Sequence, residues 1–158
     1  MVPRASQTLV TPLSAGDLVA MAQCMAIDAE SFPFASVQFD GRPRSAPLWT
    51  AREGAAPRVL GFIASRRRRR DLDIEALAVT REAQRRGIGT ALVRTAIAYA
   101  RRGPFETVSL HVWAGNAHAL RMYEREGFVI LRAQPGYYRP GAFDADGNAY
   151  EMVLQLGM

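Results

Sequence analysis

At 158 residues and 49% hydrophobic composition, the chain can close one substantial core and is too short for two ordinary domains. It contains no run of ~20 apolar residues that could span a membrane and no basic-then-apolar N-terminal signal, so one soluble domain over residues 1–158, cytoplasmic or nuclear, is expected. The net charge of +5 suits a polyanionic ligand such as a nucleotide, a nucleic acid or CoA without choosing among them, and a single cysteine excludes a disulfide framework.

In chain order, a first strand is expected over Thr8 to Leu13. Ser14 then caps a helix running to about Ala29, with Leu18, Met21, Ala22 and Met25 on its buried face. Cys24 lies in this apolar helix and reads as packing. Ser31 to Arg44, with Phe32-Pro33-Phe34 and a Gly-Arg-Pro turn, reads as a short helix or loop. Strands follow at Ala46 to Arg52 and Arg58 to Ser65, and the arginine run Arg66 to Arg70 reads as a solvated hairpin loop. Leu72 to Val79 alternates, with Leu72, Ile74, Ala76 and Ala78 on one face and Asp73, Glu75, Leu77 and Val79 on the other.

From Gly87 the period becomes helical, placing Ile88, Ala91, Leu92, Thr95, Ala96 and Tyr99 on one stripe that Gly103-Pro104 ends. A strand at Thr107 to Trp113, a second helix capped by Asn116 and stopped by Gly127, and strands near Phe128 to Ala133 and Ala149 to Leu156 complete a mixed α/β pattern.

The turn Gln84-Arg85-Arg86-Gly87-Ile88-Gly89 joins a strand to a helix. Its unpartnered backbone N–H groups converge where a pyrophosphate could sit, two glycines keep Cβ atoms away, and Arg85 and Arg86 add positive charge. A Rossmann reading fails at Leu92, where a third glycine is needed. A P-loop needs a lysine, and all 20 basic residues are arginine.

The run Val79 to Leu92 resembles the acetyl-CoA signature of the GNAT superfamily. Leu110-His111-Val112, Asn116, Ala119, Tyr123, Gly127, Phe128, Tyr137-Tyr138, Asp146 to Tyr150 and Phe32-Pro33 resemble its protein N-terminal acetyltransferase branch. The resemblance implies a single α/β GNAT fold with a mostly antiparallel sheet of about seven strands and about four helices. It also implies acetyl-CoA as cosubstrate, no metal, and direct transfer of acetyl to the α-amine of a peptide or protein N-terminus; nucleic acid is not an expected partner.

By family position, the cofactor would be held by Leu77, Ala78 and Val79 through backbone groups, by Gln84, Arg85, Arg86, Gly87, Ile88, Gly89 and Thr90, and by Asn116 and Tyr123. Tyr123 would be the general acid facing the sulfur. Phe32, Pro33, Phe34, Glu75, Tyr137 and Tyr138 would form the acceptor walls.

Two bases compete. His111 shares a strand face with Ser109 and Trp113, and an imidazole of ordinary pKa about 6.5 can take a proton from an α-amine. Asp73 falls where the histone-lysine branch has a glutamate base, although with Glu75 it could equally pair with arginines of the 66–70 run. A lysine or small-molecule amine acceptor, and a non-catalytic acetyl-CoA-binding module, remain alternatives.

Overall fold

The computed structural model describes residues 7–39, 42–139, 141–144 and 147–157. Gly41 of the Gly-Arg-Pro turn and Asp146 of the closing segment lie outside them. A seven-stranded sheet of order β1-β2-β3-β4-β5-β7-β6 organises the chain. Its strands are β1 (Thr8–Pro12), β2 (Leu48–Glu53), β3 (Val59–Arg68), β4 (Asp71–Val79), β5 (Thr107–Trp113), β6 (Val129–Gln134) and β7 (Ala149–Gln155). All neighbours are antiparallel except β4 and β5. The described α-helices number three, not about four: α1 (Leu18–Ser31), α2 (Ile88–Arg102) and α3 (Ala117–Arg125). Phe32 is extended at the end of α1, Pro33 cannot donate a ladder hydrogen bond, and the chain continues as a loop.

Each face of the sheet has its own core. Ile88, Leu92, Val93, Ala96, Ile97 and Ala100 of α2, with Met122 and Tyr123 of α3, pack on one face. Ala20, Cys24 and Ile27 of α1 pack on the other, against Phe62, Ala64, Ala76 and Ala78. The buried stripe of α2 is rotated from the expected one: Ile88, Leu92 and Ala96 are buried, but Val93, Ile97 and Ala100 complete the stripe while Ala91, Thr95 and Tyr99 are half-buried. That of α1 is displaced as well: Leu18 is 71% and Met25 49% exposed while Ala20 and Cys24 are buried. The cap also moves, from Ser14 to Asp17, whose Oδ1 accepts the Ala20 N–H at 3.0 Å. Because 10 of the 14 residues of α1 are apolar, the small residues that fit closest to the sheet, not the largest, decide its rotation.

The arginine run is mostly strand. β3 continues through Arg68, and only Arg69, with φ 59°, and Arg70 make the turn. On β4 the expected single apolar face is broken, because Ser65 pairs with Ile74 and Ala64 with Ala76, leaving Glu75 as an unpaired extra residue. Such a bulge shifts the alternation by one. Leu72 and Ile74 therefore join the α2 core, Ala76 and Ala78 the α1 core, and Leu77 and Val79 pack on the α2 side.

Candidate active site

The site begins where the sheet parts. β4 and β5 pair over only four residues, Asp71 to Ile74 against Thr107 to Leu110. Beyond them β4 stays with β3, and His111, Val112 and Trp113 of β5 stay with β7. The wedge opens into a cleft of about 1180 Å³. The β4 backbone after Ile74 has no partner strand on that side, so its polar groups can serve a ligand.

At one end lies the expected cradle. Gly87 caps α2 in the left-handed conformation, φ 81°, with no side-chain hydrogen bond to the helix start, so the first-turn N–H groups keep their donors. Arg85 is also left-handed, at φ 66°. The Gln84 amide ties the turn back to the strand by donating to the Val79 carbonyl at 3.2 Å. Arg81, Arg85 and Arg125 line this end together with Leu77, Ala78, Val79, Gln84, Gly87, Ile88, Gly89, Thr90 and Asn116. An uncapped helix start in a cleft also lined by Arg81, Arg85 and Arg125 fits a pyrophosphate. Arg86 does not reach the cleft; its guanidinium turns back to the Glu82 carbonyl at 3.4 Å. Asn116 caps α3, accepting from the Ala119 N–H at 3.1 Å.

Tyr123 lines the middle of the cleft with its ring buried against Phe128. Burial pushes its phenol well up, with a smaller contribution from Tyr138, so it stays protonated and able to donate. Cys24 is remote from the cleft lining, and burial pushes its thiol up to about 12.

The far end is aromatic. The loop after α1 and the loop between β6 and β7 meet across the cleft: Phe34 stacks on Tyr138 at 5.6 Å, and Phe143 contacts both edge-on at 5.8 and 5.1 Å. Phe32 supports Phe34, and Trp113 stacks on Phe143 at 5.1 Å. Asp28, buried at the end of α1, accepts from the Ser36 backbone and hydroxyl, fixing this loop. Pro33 is exposed and lies off the cleft lining.

His111 stacks flat on Tyr137, 4.2 Å between centroids and 2° between planes. Burial first, then the Asp73 carboxylate, pushes the Tyr137 phenol up; burial does the same to Tyr138. Both carboxylates line the cleft, each with an arginine: Asp73 with Arg66 at 2.7 Å and Glu75 with Arg44 at 2.8 Å.

Thus the structure gathers every expected site residue except Arg86 and Pro33 into one cleft. It adds Trp113, Arg66, Arg81, Arg125 and Phe143. Trp113 was legible from its strand face beside His111. Phe143 was not, because it sits at φ 57° in a non-periodic turn.

The fold has many relatives. Residue coverage is 96% of both chains for the ribosomal-protein-S18-alanine N-acetyltransferase from Escherichia coli, at 20% identity and TM-score 0.81. NAA60 from Arabidopsis thaliana, in complex with a bisubstrate analogue, matches at 22% identity and TM-score 0.78, over 96% of this chain and all of that one. A spermidine N-acetyltransferase SpeG chimera from Vibrio cholerae and hSSAT matches at 18% and 0.74, over 96% of each. No curated protein sequence matches significantly. The family model described as Acetyltransferase (GNAT) family, however, matches residues 14–128. With more than half of the chain inside that match, this protein belongs to the GNAT acetyltransferase family.

Proposed function

We propose that this chain transfers acetyl from acetyl-CoA to the α-amine of a peptide or protein N-terminus, by direct attack in a ternary complex. The observation that carries this reading is the aromatic bridge, in which Phe34 of one loop touches Tyr138 and Phe143 of the other. A bridge across the acceptor end favours an amine that arrives end-on, as a free chain terminus does. An internal lysine, flanked by chain on both sides, needs an open groove.

Acetyl-CoA held at the cradle supplies an activated acetyl carbon and a thiol leaving group. The freed β4 backbone near Leu77 to Val79 is placed to polarise the carbonyl. His111 accepts the amine proton, and Tyr123 stands protonated as the donor to the leaving sulfur. Asp73 is less free to take that proton, since Arg66 already holds its carboxylate at 2.7 Å. An acyl-enzyme is disfavoured because Cys24 is buried, protonated and off the cleft.

A small amine could also arrive end-on. A polycation would be drawn by free carboxylates, but Asp73 and Glu75 are neutralised by Arg66 and Arg44. Incubation with acetyl-CoA and a peptide panel tests the proposal. Product is expected with free N-termini and not with N-blocked, lysine-containing peptides or with polyamines. Product confined to either of the latter sinks it.

A further inference from the structure

One acidic side chain beside the cleft-lining His111 has no role in the mechanism above. Glu151 sits on β7 directly opposite His111 of β5, and Arg132 of β6 sits directly opposite Glu151. Side chains directly opposite in antiparallel strands share a face and touch. The three therefore form a row across adjacent strands. His111 Nε2 is 3.7 Å from Glu151 Oε2, and Arg132 Nε is 3.3 Å from the same oxygen. His111 and Glu151 are each only 21% exposed, against 60% for Arg132. Tyr137 covers the imidazole from its face. Tyr137 thus fixes the plane of the ring, and the carboxylate faces its Nε2 from beyond hydrogen-bond reach but within ion-pair distance.

We infer that Glu151 is a positioning residue for acetyl transfer, acting through His111. A carboxylate facing Nε2 keeps the proton on that nitrogen and leaves the lone pair on Nδ1. As the carbon–nitrogen bond forms and the carbon–sulfur bond breaks, one proton passes from the amine to Nδ1, directly or through water. The departing thiolate takes a proton from Tyr123 or solvent. His111 leaves the step as an imidazolium, whose charge Glu151 balances at close range in a partly dried cleft. Arg132 on the far side shares the carboxylate but is exposed, so its own attraction is screened. Asp73 is less suited to this role from β4: it stands opposite Ser109, two residues from His111, and Arg66 holds its carboxylate at 2.7 Å.

The inference rests on the acetyl-transfer reading with His111 as base, not on which amine is the acceptor. It is tested with the full chain and whichever acceptor the panel turns over, in wild type, Glu151→Gln, His111→Ala, the double variant and Arg132→Met. Glu151→Gln keeps the shape and removes the charge. It is expected to lower kcat about tenfold with KM for acetyl-CoA and melting temperature unchanged, and to cause no further loss in the His111→Ala background. Arg132→Met should stay within about twofold of wild type. An equal loss with and without His111, or the same loss from Arg132→Met, overturns the role of Glu151: the residue would then only tie β6 to β7. A fully active His111→Ala overturns the base and this inference together. A wild type that acetylates only lysine or polyamine defeats the N-terminal reading alone, and the coupling is then measured on that acceptor.

Discussion

Gly87 and Gly89 are needed for different reasons. At Gly87 a Cβ would touch nothing within 4 Å, but φ is +81°, so a side chain costs about 1 kcal/mol through backbone conformation alone. At Gly89 a Cβ would stand 3.5 Å from the Met122 sulfur, an ordinary contact, and alanine is favoured over glycine in a helix by about 1 kcal/mol. Gly89→Ala is therefore expected to melt no lower than wild type yet to bind acetyl-CoA more weakly, because its methyl crowds the helix start. Thermal melts paired with calorimetry check this, and an unchanged Kd would mean that no ligand approaches the backbone there. Tyr123→Phe keeps the ring against Phe128 and removes only the donor; kcat should fall about a hundredfold with acetyl-CoA affinity little changed. Equal kcat would return Tyr123 to the core. The Cys24 thiol, pushed from 9.0 to about 12 by burial, should resist a thiol reagent at pH 8 until urea unfolds the chain. The sign follows from linkage: the raised folded value favours the folded state fully below pH 9 and loses that contribution as pH rises from 9 towards 12.

At the scale of elements, α1 is where period misleads. Ile27 is 4% exposed, so Ile27→Ala should cost about 2–5 kcal/mol. Leu18→Ser should change stability by no more than about 0.5 kcal/mol, although the sequence pattern ranks Leu18 with the core. Urea midpoints of the two variants decide which face is buried. For α2 the pattern found the helix and its end at Gly103, but of its buried stripe it named only Ile88, Leu92 and Ala96 and missed Val93, Ile97 and Ala100. In α1 nearly every side chain is apolar or small, so sequence alone cannot orient it, and the sheet chooses the face. The bulge at Glu75 was only half legible: apolar and charged residues alternate from Leu72 to Glu75 and the run Ala76 to Val79 is apolar throughout, but only pairing with β3 reveals the unpaired residue. The turn of the cradle was legible, Arg86 excepted, because strand, two glycines and helix follow one another locally. The ring contacts of Phe143 and the row His111, Glu151, Arg132 join segments distant in the chain, and no local signal announces them.

Across the whole molecule, the cleft exists because β5 abandons β4 for β7 after Leu110. This puts the cradle on β4 and α2, the proposed base on β5, and the aromatic walls on loops from opposite ends of the chain. The cradle half is therefore built on paired strands and a packed helix, and the proposed acceptor end on two loops held together by rings. Phe34 is the link, touching Phe32, Tyr138 and Phe143. Truncating it leaves the cradle, His111 and Tyr123 in place and opens the bridge. Phe34→Ala is accordingly expected to keep acetyl-CoA affinity and melting temperature near wild type while the ratio of N-terminal to internal-lysine acetylation falls at least about tenfold. Competition between a free-N-terminus peptide and an N-blocked lysine peptide in one reaction measures that ratio directly. Tyr138→Ala, which removes the opposite ring, should shift it in the same direction. A ratio unchanged in both variants would show that the bridge does not select the acceptor, and that discrimination resides deeper, where Asp73, His111 and Tyr137 meet the amine.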